Sequence, residues 1–203
     1  MNNLDEVKNY YSEKIVAHGV SPKGVDWNGE DSQVLRFEQL TKIIDLEKPF
    51  TINDFGCGYG ALFDFFKGCG VEFKYFGNDI SPEMIQEACK RITSENASFF
   101  VSDRPEKPAD YTLASGIFNV ALNSKEDMWK KYIFEQLHIL NENTSKGFAF
   151  NCLTSYSDEE KKRDYLYYAD PCEMFDFCKK YFSRNVALLH DYDLYEFTIL
   201  VRK

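Results

Sequence analysis

The segment INDFGCGYGALFDFF, residues 52–66, places three glycines at alternate positions between two apolar runs. Residues 50–55 are rich in β-formers, so they predict a buried strand. After the glycines, apolar side chains recur at helical spacing until Gly68 and Gly70, which indicate where the helix ends. Glycines between a strand and a helix allow positive φ and let backbone N–H groups approach a ligand. The segment therefore predicts a βα unit whose connecting loop binds a ligand.

Strands and helices are predicted to alternate along the rest of the chain. After the strand at 50–55, strands are predicted at 71–79, 97–103, 111–120, 147–153, 186–191 and 195–203, and helices at 59–67, 81–92, 125–141 and 171–182. This alternation indicates a doubly wound, mostly parallel α/β sheet covered on both faces. The last two strands are separated by too few residues for a parallel crossover, so we expect them to form an antiparallel hairpin.

Two further helices are predicted before the first strand, at 3–18 and 30–46, with a glycine- and proline-containing loop between them. The 203 residues, 44% of them hydrophobic, are enough for one domain with a sizeable core. Because no internal repeat or linker divides the chain, a single domain over 1–203 is expected. It would consist of a helical cap at 1–48 and an α/β core at 49–203.

Charge and composition narrow the class of protein. The formal net charge of −9 disfavours broad binding to nucleic-acid backbones. No apolar run approaches the roughly 20 residues that cross a bilayer, and the N-terminus has no basic segment followed by an apolar one. A soluble, cytoplasmic protein without a membrane partner is expected. The six cysteines lack the paired spacing of a zinc site, so we expect reduced thiols and no metal.

Acidic residues follow the predicted strands, at the edge where doubly wound sheets bind ligands. Asp79, 19 residues beyond Gly60, is placed to accept hydrogen bonds from ribose hydroxyls, the alternative being a solvated carboxylate beside the next helix. A nicotinamide cofactor is one alternative for the glycine loop, because Gly56, Gly58 and Ala61 satisfy the dinucleotide-binding pattern G-x-G-x-x-G/A. Against it stand the extra glycine of the loop, the acidic residue two positions before the first glycine, and the closing hairpin.

The run D-x-G-x-G-x-G at 54–60, followed by GNDISPEMI and VSD, resembles the class I S-adenosylmethionine (SAM)-dependent methyltransferases, in order from Phe50 to about Val120. The resemblance implies a seven-stranded sheet, SAM as cofactor and S-adenosylhomocysteine (SAH) as product. The implied cofactor site consists of Gly56, Cys57, Gly58 and Gly60 along the methionyl part, Asp54 at the ammonium group, Asp79 and Ile80 at the ribose, Ser102 and Asp103 at the adenine, and Ser115 near the sulfonium.

The N-terminal helices also look like those of small-molecule methyltransferases, where they lie across the cofactor. In some such enzymes an aromatic residue and an arginine from this region meet the cofactor's carboxylate. Trp27 and Arg36 are placed to do so here, since a guanidinium can make two parallel bonds to a carboxylate. The alternative for Arg36 is a surface position on an amphipathic helix.

The resemblance implies methyl transfer, and the acidic surface, short chain and helical N-terminus favour a small-molecule acceptor methylated on oxygen or nitrogen. Asn119 and the tyrosines Tyr165, Tyr167 and Tyr168 are predicted to wall the acceptor site, the alternative for the tyrosines being a packing anchor. A hydroxyl acceptor needs a general base, for which His190 is the candidate, whereas an amine acceptor can react through positioning alone.

Other functions stay open at this point. They are a methyltransferase acting on protein or RNA, a SAM-binding regulatory domain without turnover, and an NAD(P)-dependent oxidoreductase. DNA is not an expected partner, since the family's enzymes that methylate amino groups of DNA bases carry a Pro-Pro-aromatic run where this chain reads SGIFN.

Overall fold

The computed structural model describes residues 2–27 and 29–203. Its strands are β1 (Phe50–Phe55), β2 (Phe73–Asp79), β3 (Ala97–Val101), β4 (Ala109–Ala114), β5 (Thr144–Leu153), β6 (Asn185–Leu189) and β7 (Glu196–Arg202). Its helices are α1 (Asn2–His18), α2 (Glu30–Thr41), α3 (Ala61–Cys69), α4 (Pro82–Arg91), α5 (Glu126–Glu142) and α6 (Pro171–Tyr181), with 3₁₀ turns at Pro22–Val25 and Glu159–Lys161. Within this part of the chain, no helix is both long and apolar enough to cross a bilayer.

The strands form a seven-stranded sheet in the order β3-β2-β1-β4-β5-β7-β6. Strands β1 to β5 run parallel, whereas β7 runs antiparallel to both of its neighbours, β5 and β6. The predicted doubly wound sheet with a closing antiparallel hairpin is therefore confirmed. The insertion of β7 between β5 and β6 makes β6 the edge strand, which bears on one of the predicted site residues below.

The fourth strand is shorter than the predicted span of 111–120, because its pairing with β1 and β5 ends at Ala114. Gly116 then adopts φ +75°, in the left-handed region that strands do not use. The Asn119 N–H donates back to the Gly116 carbonyl at 3.3 Å, closing a turn. Residues 115–120 thus form a loop at the carboxyl edge of the sheet. The helix predicted at 30–46 likewise ends early, at Thr41.

Of the two glycines expected to end the helix after the glycine loop, only Gly70 does so, because α3 continues through Gly68 to Cys69. Gly60 precedes α3 with φ +85°, and Gly70 follows it with φ +67°, both left-handed. In the next unit, the Ser81 hydroxyl accepts a hydrogen bond from the Met84 N–H at 3.3 Å, and Pro82 occupies the first position of α4. Such caps satisfy N–H groups that a helix start leaves without partners.

Apolar side chains cover both faces of the sheet in separate buried clusters. Helix α1 lies near the carboxyl edge and takes part in two of the protein's clusters. Val7 belongs to the cluster that also contains Phe118, whereas Ile15 packs with Tyr59 and Met84. Helix α1 is therefore packed beside the glycine loop.

Candidate active site

A cleft opens at the carboxyl ends of β1, β2 and β4, and we call it the glycine-loop cleft. Its main lining residues are Val7, Tyr11, Trp27, Asp54, Gly56, Cys57, Gly58, Asn78, Asp79, Ile80, Ser102, Ser115, Gly116, Ile117, Trp129 and Tyr132. Counted with its open mouth, the cleft encloses about 910 Å³ of space outside the protein atoms.

The backbone of the glycine loop approaches its neighbours too closely for side chains. Gly56 has φ +78°, and a Cβ there would lie 2.2 Å from Ile117 Cγ2. Gly58 has φ +52°, and a Cβ there would lie 2.9 Å from Val25 Cγ1. Gly60 does not line the cleft: it starts α3, with Ile92 packed where its Cβ would be.

Asp79, at the end of β2, is held by backbone donors on both oxygens. The Gly58 N–H donates to Oδ2 and the Ser81 N–H donates to Oδ1, each at 2.9 Å. Burial raises the pKa of this carboxyl, and these backbone hydrogen bonds oppose the rise. Since the Gly58 N–H is committed to Asp79, that donor is not free to bind a phosphate group.

Asp54, near the end of β1, is a second carboxyl group in the cleft, and it is buried. Burial raises its pKa to about 7, the hydroxyl of Tyr75 that donates to it lowers the pKa, and the charge of Asp79 raises it. Among the residues seen to line the glycine-loop cleft there is no lysine, arginine or histidine. The cleft therefore has an acidic character that suits a cationic ligand.

Two polar atoms in the cleft lack partners within residues 2–27 and 29–203. They are Asn78 Oδ1 and Ser115 Oγ, both buried. Buried polar atoms are rarely left without a hydrogen bond, so the unpaired oxygen atoms of these two lining residues are suited to a ligand. Ser102 also lines the cleft, whereas Asp103 is exposed outside it and pairs with Arg104 at 3.3 Å.

A second cleft adjoins the first, and we call it the tyrosine cleft. Its main lining residues are Tyr11, Val25, Asp26, Trp27, Arg36, Gly116, Asn119, Leu153, Ser157, Lys161, Arg163, Tyr165, Tyr168, Asp193, Tyr195 and Glu196. The two clefts share Tyr11, Val25, Trp27 and Gly116. These shared residues form the partition between the clefts.

The predicted acceptor residues divide between this cleft and the core. Tyr165 and Tyr168 line the tyrosine cleft, as does Asn119, whose side-chain oxygen accepts a hydrogen bond from the Leu153 N–H at 2.9 Å. Tyr167 does not: it is 6% exposed and belongs to a buried apolar cluster. The position of Tyr167 therefore fits the alternative interpretation, a residue that packs in the core.

The structure does not bring His190 to either cleft. The residue is exposed after β6, beside the rings of Tyr156 and Phe197. The reason is topological, because β7 lies between β5 and β6 and places the end of β6 at the edge of the sheet. His190 is therefore not positioned to take a proton from a ligand in these clefts.

Arg36 is committed to a partner that the sequence did not indicate. Its Nε and Nη2 atoms donate to the two oxygens of Glu196 at 2.8 and 2.7 Å, and Nη1 donates to the Ser32 carbonyl at 2.7 Å. Its guanidinium carbon lies 3.8 Å from the centroid of the Trp27 ring. The fork predicted to bind a cofactor carboxylate is thus already paired, whereas Trp27 lines both clefts.

Several cleft residues lie outside the predicted set. Leu4, Val7 and Tyr11 of α1, with Trp129 and Tyr132 of α5, line the glycine-loop cleft. Their spacing of three or four residues indicates one face of each helix, which is a signal for core as much as for a ligand wall. Within residues 2–27 and 29–203, no group of three or more His, Cys, Asp or Glu side chains is arranged to hold a metal ion.

Comparison with known proteins decides the family. Residues 52–143 match the family model described as "Methyltransferase domain". The Mycobacterium tuberculosis (strain ATCC 25618 / H37Rv) protein named "Putative methyltransferase Rv1506c" is 54% identical over 163 residues, which cover 80% of this chain and 98% of that protein. The chain belongs to the methyltransferase family. The resemblance carried by the glycine loop and the two segments after it is thereby confirmed.

Solved structures show that this methyltransferase has the class I fold. The plantazolicin methyltransferase BpumL in complex with SAH superposes with a TM-score of 0.60 at 15% identity, over 85% of this chain and 84% of that one. The magnesium protoporphyrin IX methyltransferase of Synechocystis PCC 6803 with bound SAM superposes with a TM-score of 0.55 at 13% identity, over 85% of this chain and 77% of that one. A chain in the complex of the Haloferax volcanii Trm112 activator with a methyltransferase superposes with a TM-score of 0.65 at 14% identity, over 94% of this chain and 96% of that one.

Proposed function

We propose that this methyltransferase binds SAM in the glycine-loop cleft and transfers its methyl group to a small molecule held in the tyrosine cleft, on an oxygen or nitrogen atom. The observation that carries the proposal is the chemistry of the glycine-loop cleft. Asp54 and Asp79 lie in it, and no basic side chain is seen in its lining. SAM carries a sulfonium and an ammonium group, so such a cleft attracts it. A dinucleotide pyrophosphate would meet two carboxyl groups and a loop amide that is already bonded.

The residues present fit SAM at several points. Asp79 would accept from the ribose hydroxyls, with Ile80 beside it, and Asp54 would face the ammonium group. Ser115 and Asn78 offer buried oxygen atoms without partners to the same ligand. Ser102 is the adenine-side residue of the proposal, which does not require the exposed Asp103.

SAM supplies a methyl group that its positively charged sulfur already activates. The chain therefore has to align the donor with the acceptor and exclude water. The partition of Tyr11, Val25, Trp27 and Gly116 is where the two clefts meet, so an acceptor atom must approach the donor there. Tyr11 is a neutral phenol at neutral pH, and burial raises its pKa further above its usual range, so it is not a base for the acceptor.

Two features support a small acceptor. Helix α1 supplies part of the glycine-loop cleft wall, which limits access to the donor from that side. The tyrosine cleft has a mixed wall, in which Tyr165 and Tyr168 lie beside charged side chains such as Asp26, Lys161 and Arg163. Such a wall offers a small acceptor both an aromatic face and polar contacts. The net charge of −9 disfavours RNA as the acceptor.

Thermal melts in the presence of SAM, SAH, NAD and NADP test the donor. A ligand that binds only the folded state at a hundredfold excess over its Kd raises the free energy of unfolding by about 2.7 kcal/mol. We expect SAM and SAH to raise the melting temperature and the dinucleotides to leave it unchanged. A shift with the dinucleotides alone would contradict the proposal.

The acceptor class is tested by SAH release from SAM in the presence of a cell extract separated into small-molecule, protein and RNA fractions. The proposal predicts turnover with the small-molecule fraction. Turnover with only the protein or RNA fraction would contradict a small acceptor while leaving SAM as the donor. A protein that binds SAM and releases no SAH with any fraction would indicate a regulatory SAM-binding domain.

A further inference from the structure

A closed path of contacts joins five residues from separate parts of the chain, and we call it the Arg36 circuit. The Gly116 N–H donates to Asn151 Oδ1 at 2.7 Å, and Asn151 Nδ2 donates to Glu196 Oε2 at 2.6 Å. Arg36 donates to both oxygens of Glu196 and stacks on Trp27. Trp27 packs against Gly116 and closes the path: a Cβ added to Gly116 would lie 2.6 Å from Trp27 Cζ2.

The charged members of the Arg36 circuit are buried, with Arg36 7% and Glu196 2% exposed. A buried ion pair is weak evidence for stability, because apolar side chains of similar volume often replace it without loss. Its hydrogen bonds are directional, however, and the two parallel bonds between Arg36 and Glu196 fix the plane of the guanidinium. Since that plane supports Trp27, the circuit sets where the indole lies.

The indole and Gly116 are both part of the partition between the two clefts. Trp27 is held between the guanidinium on one side and the backbone of Gly116 on the other. Asn151 and Glu196 lie on β5 and β7, so the circuit anchors the segment that carries Trp27 to two neighbouring strands of the sheet. Because these residues contact one another directly, a change in the position of any one of them would change the position of Trp27 or Gly116 in the partition.

We propose that Asn151, Glu196 and Arg36 are positioning residues that hold Trp27 against Gly116, and so fix the partition between the donor and acceptor clefts. This inference rests on the proposed function for the roles of the clefts. It replaces the direct role at a cofactor carboxylate that the sequence suggested for Arg36. Neither Asn151 nor Glu196 carries a motif that would mark it in the sequence.

The test uses tryptophan fluorescence, because Trp27 and Trp129 are the two tryptophans of the chain. In the W129F background, acrylamide quenching reports the accessibility of Trp27 alone. E196Q keeps the volume of the side chain, but its N–H₂ group meets a donor in either orientation: Arg36 Nη2 at the Oε1 position, or Arg36 Nε and Asn151 Nδ2 at the Oε2 position. A coupling within one hydrogen-bond network is large enough to change the equilibrium between a held and a released indole by about twofold or more. We therefore expect the quenching constant of Trp27 to rise.

A rescue variant separates positioning from a general loss of stability. In N151D/E196Q the carboxylate at 151 can accept from the Gly116 N–H and from the new amide, and the net charge is unchanged. Arg36 Nη2 keeps the oxygen of residue 196 as its acceptor, whereas Arg36 Nε still meets the amide, so the rescue is partial. We expect its quenching constant to return toward that of the W129F parent. R36K, which keeps the charge and removes the planar stacking, should raise quenching as E196Q does, and it serves if E196Q does not fold. R202K, on the same strand as Glu196 and bonded to the Lys42 carbonyl, is the control and should leave quenching unchanged.

Parent-like quenching in folded E196Q and R36K would overturn the proposal, and so would a failure of N151D/E196Q to restore what E196Q changes. Because Trp129 itself lines the glycine-loop cleft, SAH binding is measured with Trp129 in place. SAH dissociation, measured by stopped-flow, should be faster in E196Q than in wild type. If wild type does not bind SAH, the proposed function fails, whatever the quenching shows. If wild type binds SAH and the W129F variants match the W129F parent in quenching, the function stands and the circuit does not position Trp27.

Discussion

At the scale of single residues, Asp54 shows the conflict between folding and binding in this site. The residue is 3% exposed, and within the described chain its side chain has Tyr75 as the only hydrogen-bonding neighbour. Burial raises its pKa to about 7, so near neutral pH the protein holds a carboxyl group that is costly to ionise. A cationic group beside it would favour the ionised form. Such a residue lowers stability in the free protein and contributes when a ligand binds.

The first prediction concerns stability. The pKa of Asp54 is about 7 in the folded protein and near 3.9 in an unfolded chain. Between these values the folded state holds the proton that the unfolded state has released, so stability falls as pH rises from about 4 to about 7. The D54N side chain cannot ionise, so the variant does not lose stability in this way as the pH rises. We expect the free energy of unfolding of D54N relative to wild type to grow by a few kcal/mol across that window, measured by urea denaturation at several pH values. A difference that does not vary with pH would contradict the assignment.

The second prediction concerns the same proton in binding. If Asp54 faces the ammonium group of SAH, binding requires its ionised form. The affinity for SAH should then fall by about tenfold for each pH unit below 7 and level off above it. Isothermal titration between pH 5.5 and 8.5 measures this, with proton uptake or release read from buffers of different ionisation enthalpy. In D54N the affinity should be lower and nearly independent of pH. An unchanged pH profile in D54N would exclude Asp54 as the titrating group.

At the scale of elements, the β1–α3 unit carries the site through backbone geometry. The third prediction compares two glycines of this unit. G56A adds a Cβ at φ +78°, 2.2 Å from Ile117 Cγ2, so we expect a loss of stability of about 1–3 kcal/mol and loss of SAH binding. G68A adds a Cβ inside α3 with no atom within 4 Å, and we expect a gain of up to about 1 kcal/mol with unchanged binding. Thermal melts with and without SAH measure both. Equal effects of the two variants would contradict the role given to the loop.

The elements were also the most predictable part of the molecule. Several elements are bounded by local signals that act within a few residues, such as the Ser81 cap of α4 and the glycines around α3. The end of β4 was misjudged because apolar residues continue past Ala114 while Gly116 turns the backbone. That turn is a property of backbone geometry and not of hydrophobic pattern.

At the scale of the whole molecule, the parts of the site that depend on strand order and on distant pairs could not be predicted. Arg36 and Glu196 are 160 residues apart and meet because α2 packs on β5 and β7. His190 lies away from the clefts because β7 inserts between β5 and β6. Tyr167 faces the core while Tyr165 and Tyr168 face a cleft, in a segment with no regular period to distinguish them. The glycine loop and Asp79 were predictable because one βαβ unit contains them.

The most direct test of the account is the binding of SAH by isothermal titration to wild type, D79N and D103N. Asp79 lines the cleft and is held by two backbone donors, whereas Asp103 is an exposed aspartate outside the lining. We predict one SAH bound by wild type and by D103N with similar Kd. D79N should have a Kd at least about tenfold higher, because it loses hydrogen bonds to a charged acceptor. Equal SAH affinity in D79N and wild type, or binding of NAD in place of SAH by wild type, would contradict the account.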